Sequence, residues 1–267
     1  MELSIYLISL LILLGLLSGT VSVIAGIGGG VFYVSIITLL FSNTDTAADT
    51  STFIILFSSM VGFITYLRQK RTKVRIALFF SVFTILGSIL ATILFSFVHV
   101  EHNVYTMIFA GTLLIAGINM IYKSYKANKK IKNQKENVNT FSLEIHDYKS
   151  NLKKAIPLFI LAGFAANFLG IGGGIVNSPS LNIVLHFPIH NSTAISTTMV
   201  FFTAIYNTII KSITGQIDFI IGILISIGSV LGAIIGAKIS KKMPKVYLQF
   251  SVAIILIALA IEMFFRR

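Results

Sequence analysis

Apolar residues run along this chain in long stretches separated by short polar or glycine-rich turns. The pattern predicts helices over 3–25, 31–42, 47–67, 76–98, 104–122, 155–169, 175–187, 194–213, 219–237 and 246–265. Segments 47–67, 76–98, 104–122, 194–213 and 246–265 are long enough to cross a hydrocarbon core of about 30 Å, with 219–237 close behind. Segments 31–42, 155–169 and 175–187 would extend only about 18–23 Å at about 1.5 Å per residue. They read as half-membrane helices meeting at a break. Segment 3–25 has the length of a leader, but Glu2 stands where basic residues are expected and no small-residue cleavage site follows, so it is read as part of the fold.

The breaks repeat. Leu17, Gly19 and the run Gly26, Ile27, Gly28, Gly29, Gly30 match Leu161, Gly163 and Gly170, Ile171, Gly172, Gly173, Gly174. A weaker echo pairs Ala48, Thr50, Ser51 and Thr52 with Ala194, Ser196, Thr197 and Thr198. The chain therefore reads as an internal duplication: 1–122 a first transmembrane repeat, 123–154 a linker, 155–267 a second repeat, the two repeats together forming one transport domain.

Composition fixes the solvent. Of 267 residues 55% are hydrophobic and 11% charged, and the mean hydropathy is +0.91, which excludes an ordinary soluble domain. With no cysteine there is no disulfide framework, thiolate metal site or cysteine nucleophile. A net charge of +12 raises the question of nucleic acid, but the basic residues are clustered: 18 of the 21 Lys and Arg lie in 68–75, 123–154 and 238–245. That is the positive-inside distribution of cytoplasmic loops, which also attracts anionic lipid headgroups, and no nucleic-acid partner is expected.

The same loops orient the halves. The turn after 47–67 is basic and the turn holding His99, Glu101 and His102 has no Lys or Arg. In the second half the order reverses, with a nearly neutral turn at Lys211 to Asp218 and a basic one at Lys238 to Lys245. Corresponding loops then face opposite sides, which predicts inverted repeats, a cytoplasmic linker and both termini outside.

A glycine-rich break inside an apolar hairpin is tolerated in a bilayer only where protein or a polar cavity satisfies the backbone. Each break is followed at once by a helix, whose first amides and positive dipole end suit an anion. Glycine keeps Cβ atoms away from those amides. Close helix packing is the competing reading of the same glycines, and the preferred reading of Gly228, Gly232 and Gly236. The anion site is assigned to Gly26, Gly28, Gly29, Gly30, Gly170, Gly172, Gly173 and Gly174. Asn167, Asn177, Ser178, Thr50, Ser51, Thr52, Ser196, Thr197 and Thr198 are the polar candidates to complete it, the alternative for each being a bond within its own helix or to a neighbour. Neither a dinucleotide fingerprint nor a phosphate loop is present, so no cofactor is expected. Asp45 and Asp49 suit either a coupling cation or an ordinary helix start. Lys211 either draws anions to the outer mouth or snorkels. Glu262, near the end of the last helix, reads as interfacial. His186 and His190 flank Pro188 and are not expected to share a metal.

These residues resemble the TauE/SafE-type sulfite exporter family of membrane permeases. The resemblance rests on the two glycine-rich hairpins, on Asn177, Ser178 and Pro179, on the Ala-x-Ser-Thr-Thr run at 194–198, and on Gly215 to Asp218 before a helix. It covers essentially the whole chain apart from a longer central linker. It implies secondary transport of a sulfur-containing anion, such as sulfite or an organosulfonate, across the bacterial plasma membrane. In the first half Tyr33, Val34 and Ser35 replace Asn177, Ser178 and Pro179, so the two hairpins need not contribute equally. The expectation is an all-α membrane permease of about eight spans. Each repeat is a glycine-broken hairpin plus three transmembrane helices, and the protein is a transporter rather than an enzyme. It moves a small anion by alternating access, with coupling to a proton or a sodium ion left open. A passive channel and a membrane scaffold or enzyme are the alternatives.

Overall fold

The computed structural model describes residues 4–41, 46–97, 104–115, 117, 118, 121, 151–214 and 217–240, together with 253, 254, 257, 258, 260, 261 and 264. These residues are overwhelmingly helical: α1 (Ile5–Ala25), α2 (Gly30–Phe41), α3 (Ala47–Arg68), α4 (Val74–Phe97), α5 (Val104–Ile115), α6 (Leu152–Leu169), α7 (Gly174–Pro179), α8 (Ile189–Thr214) and α9 (Phe219–Ile239). Six of them, α1, α3, α4, α6, α8 and α9, are long and apolar enough to cross a membrane. Segment 246–265, the linker at 123–150, and Asp45, His99, Glu101, His102 and Glu262 fall largely or wholly outside the described residues.

One expectation is corrected. Segment 155–169 is not a half-membrane helix, because α6 begins at Leu152 and its 18 residues span about 27 Å. Lys153 and Lys154 belong to its first turn, where their heads reach water from a helix end. The other short segments stay short. α2 has 12 residues. α7 has six and continues at Pro179, which carries no amide hydrogen, into a wider π-helical turn over Ser180–Val184.

The described helices gather into two compact units. The first lies within Met1–His99 and Asp147–Ile239, the second within Val100–His146 and Ser240–Arg267. In the first unit the pairings come in twos: α1 with α9 and α6 with α4, α3 with α9 and α8 with α4, α2 with α3 and α7 with α8. α3 also packs along α8, and the two run antiparallel. Asp49 at the start of α3 meets Lys211 near the end of α8, whereas Gly62 toward the end of α3 lies against Thr197 near the start of α8.

This unit buries many hydroxyls and amides among its apolar core residues and turns large apolar side chains outward. Ser51, Ser58, Ser81, Thr84, Ser88, Ser196, Thr203 and Asn207 are buried, while Leu78, Val82, Leu86, Leu90 and Ile93 form an exposed row along α4. Lipid supplies no hydrophobic force between helices, so close packing and interhelical hydrogen bonds hold the unit together. Glycines provide the closeness. Gly15 and Gly19 face the backbone of α9 at Ile225 to Ser229, and Gly228, Gly232 and Gly236 face α1 at Ile12, Leu16 and Thr20, as expected of a packing stripe. Gly87 and Gly163 do the same between α4 and α6, where Ser88 Oγ donates to Gly163 O at 2.9 Å.

A methyl group on Gly163 would run into the Thr84 carbonyl. Gly163→Ala should therefore lower stability by about 1–3 kcal/mol. Gly111→Ala in α5, where nothing lies within 4 Å, should be neutral or mildly stabilising. Thermal unfolding of the two variants in detergent measures the contrast.

Candidate functional site

The two GIGGG runs adopt one conformation twice. α1 ends at Gly26 (φ 69°) and α6 at Gly170 (φ 66°), each in the left-handed region that terminates helices. Gly28 and Gly29 have φ of 90° and 76°, and Gly172 and Gly173 have 78° and 72°. A side chain at any of these six positions would be strained, which is the physical reason for glycine there. Gly30 and Gly174 have ordinary helical backbone and are glycine for a different reason. A methyl on Gly30 would strike Gly170 O and Ile171 Cα, and one on Gly174 would lie 2.6 Å from Gly26 O. Each helix that leaves one break thus starts against the backbone of the other.

Gly28 and Gly172 lie face to face, so that a Cβ on the first would stand 3.4 Å from the Cα of the second, with Val200 and Ile55 closing over them. Carbonyls at the breaks are capped across the repeat. Ser51 Oγ lies 2.5 Å from Gly170 O, and Ser196 Oγ donates to Gly26 O at 2.9 Å. Ser178 Oγ adds a second donor to Gly26 O at 2.8 Å. Other backbone groups of the breaks lack such caps: among the described residues, none donates to the carbonyls of Ile27, Gly28, Ile171 and Gly172. Among the described residues, none accepts a hydrogen bond from the amides of Gly28, Gly29, Gly30 and Val31, or from those of Gly172, Gly173, Gly174 and Ile175. The next amides are taken: Phe32 and Tyr33 donate to Gly29 O, and Val176 and Asn177 to Gly173 O. Two clusters of buried donors therefore share the centre of the unit, an arrangement whose natural complement is negative charge.

The polar candidates divide. Ser51, Ser196 and Ser178 reach the breaks as backbone caps. Asn177 is buried, 1% exposed, and its Oδ1 has no partner among the described residues. Its counterpart Tyr33 is also fully buried but spends its hydroxyl on Ser229 Oγ at 2.7 Å. Thr197 and Thr198 bond back to Thr193 O and Ala194 O in their own helix. Thr50 Oγ1 accepts the amide of Asp218. The pairing of Ser51 with Thr197 implied by the sequence echo shifts by one residue, since Ser51 and Ser196 perform the same cap and Thr52 and Thr197 bond to Ala48 O and Thr193 O alike.

Asn167 and Thr52 belong to a separate cluster with two residues that the sequence treated singly. Lys211 does not snorkel. Its ammonium lies 2.5 Å from Asp49 Oδ1, donates to Asn167 O at 2.8 Å and stands 3.5 Å from Thr52 Oγ1, with both charged side chains about one-tenth exposed. Asn167 Nδ2 in turn donates to Asn207 Oδ1 and Thr92 Oγ1, both at 3.1 Å. Nothing in the spacing of Asp49 and Lys211, 162 positions apart in the chain, could have paired them. His190 contacts Arg71 through Nδ1 at 3.2 Å and its carbonyl at 3.1 Å.

The model of the sulfite exporter TauE/SafE family matches residues 11–263. This chain belongs to that family. Relatives from two domains of life agree on the coarse role. The probable membrane transporter protein YunE of Bacillus subtilis is 24% identical over 217 residues, covering 77% of this chain and 78% of that one. A probable membrane transporter protein of Methanocaldococcus jannaschii is 25% identical over 205 residues, covering 74% and 70%. YdhB of Bacillus subtilis, also named a probable membrane transporter protein, is 29% identical over 192 residues, covering 72% of each chain. No solved structure matches. With six membrane-capable helices, this family member is a multi-pass membrane transporter.

Lys211→Met should cost about 3–5 kcal/mol, because it leaves the Asp49 carboxylate buried without its partner, and adding Asp49→Ala should recover much of the loss. Unfolding curves of the single and double variants in detergent provide the check.

Proposed function

We propose that this TauE/SafE family member is a secondary transporter of a small anion, of the sulfur-containing class to which sulfite and organosulfonates belong, in a bacterial plasma membrane. The observation that carries this reading is the pair of buried amide clusters at the facing glycine breaks. An oxyanion offers several acceptor oxygens at once and can be held by such amides without a permanent charge at the centre. The family's own description supports the sulfur chemistry.

The reading includes inverted repeats and alternating access. Its supports are the duplicated breaks, the opposed loop charges, the twofold scheme of helix pairings and the antiparallel course of α3 and α8, which occupy equivalent places in the two halves. In the conformation described the breaks touch, so passage requires the halves to part on one side and then on the other. Asn177, with its unpartnered Oδ1, is the side chain assigned to orient the amides' ligand or its proton.

Purified protein in liposomes tests the proposal with sulfite, thiosulfate, methanesulfonate and chloride. Concentrative movement of a sulfur oxyanion under an ion gradient is the expected result. Purely dissipative flux would make the protein a channel, and no flux of any anion would remove the reading. Gly172→Ala adds a methyl 3.5 Å from Gly28 Cα at a positive φ, a strain of about 1–2 kcal/mol. It should insert normally yet lose most of its flux, with Gly111→Ala unchanged. Because the chain has no cysteine, Lys70→Cys and Thr214→Cys, both at exposed positions, should be labelled by an impermeant maleimide from opposite sides of the membrane.

A further inference from the structure

The twofold scheme is broken at one place. Matching the breaks and their serine caps sets Val23 beside Asn167, Ala194 beside Asp49, Gly62 beside Asn207 and Tyr66 beside Lys211. Near the first break, Tyr66 Oη donates to Val23 O at 2.6 Å, in an apolar cluster with Ala194, Ala233 and Ala237. Near the second break, the same task, a donor from the long helix to a carbonyl in the last turn before the glycines, falls to Lys211 Nζ on Asn167 O. A phenol with the Arg71 guanidinium 4.7 Å over its ring does this at one end without a buried carboxylate, so the buried ammonium–carboxylate pair at the other exceeds what the fold needs. Burying them is costly, which marks a functional pair in a membrane protein.

Few other charges bear on the pair. α1 and α2 carry no Asp, Glu, Lys, Arg or His among their described residues, the lysines of α6 and α9 lie at the far ends of those helices, and α8 contributes Lys211 itself. Among the described residues Asp218, at the start of α9, is the remaining acidic neighbour, linked to Thr50 through its amide and spending Oδ1 on the amide of Ile221. Arg68 of α3, Arg75 of α4 and His190 of α8 lie at the other ends of their helices. The pair is neutral as it stands. A monovalent anion arriving beside Lys211 makes the cluster negative in a setting that tolerates net charge poorly, and one proton restores neutrality.

We propose that Asp49 and Lys211 form a proton-coupled anion station, at which the arriving anion replaces the Asp49 carboxylate as the partner of Lys211 and Asp49 takes up one proton from water. For each anion bound an O–H bond forms at Asp49 and one breaks in hydronium or a buffer acid of the aqueous phase, so anion and proton travel together. The station rests on the transporter reading above and deepens it. Asn167, which holds both Lys211 and the helix entering the second glycine break, links the station to that break.

The test uses methanesulfonate, which stays ionised and cannot itself carry a proton, in liposomes with the membrane potential clamped to zero. A tenfold proton gradient should raise steady-state accumulation by wild type about tenfold, as one proton per anion requires. Asp49→Asn should keep anion–anion exchange but lose that accumulation. The double variant Asp49→Ala with Lys211→Tyr, which copies the neutral lock of the other end, should remain folded and show no response to the gradient. A proton response kept by either variant, a wild type indifferent to the gradient, or folded Asp49→Asn protein that loses exchange as well would make the pair structural and overturn the proposal while the transporter reading stands. If wild type moves none of the anions in the earlier panel, that reading fails and the station falls with it. If it moves others but not methanesulfonate, the same three comparisons are made with thiosulfate, a dianion for which one proton per anion leaves one charge unbalanced but still predicts about tenfold accumulation at zero potential.

Discussion

Peptide groups cannot be left unpaired in hydrocarbon, and this constraint governs the centre of the molecule. α1 and α6 stop at Gly26 and Gly170, and each stop releases carbonyls and amides into a buried stretch of the unit. Two of the carbonyls are satisfied by serines of the other half of the chain, Gly26 by Ser196 and Ser178, Gly170 by Ser51. Beside them, the first amides after each stop have no acceptor among the described residues.

Around that centre the two halves supply matching parts with unequal chemistry. Tyr33 fills with a ring and a hydroxyl the place that Asn177 fills with a smaller amide whose oxygen is unpaired. Tyr66 seals one end, whereas Asp49, Lys211, Asn167 and Asn207 form a charged and hydrogen-bonded cluster at the other. The two ends are thus held by a phenol and by a buried ion pair.

Much of this was legible in the sequence, and what was not has identifiable causes. The membrane setting follows from composition, and the breaks from glycines whose positive φ or tight contacts admit nothing larger. The start of α6 was missed because Lys153 and Lys154 read as a loop, although a helix end lets such side chains reach water. The offset between the serine caps was missed because hydroxyl-rich runs match equally well at neighbouring registers, and only the Gly26 and Gly170 carbonyls distinguish them. The Asp49–Lys211 pair was invisible because it joins the halves through space. Each residue alone had a bland explanation, and only their distance removes it.

The glycine seams between α1 and α9, and between α4 and α6, have a mechanical consequence. Where main chain rests on main chain there are no flexible side chains to absorb sliding, so each pair behaves as a stiff plank. α3 and α8 meet instead partly through side chains, among them Phe63 stacked on Phe201 at 5.3 Å, and rings can slip past one another where carbonyls cannot. A shift that unseated the breaks would meet least resistance at the α3–α8 seam, with each glycine-packed pair moving as one piece.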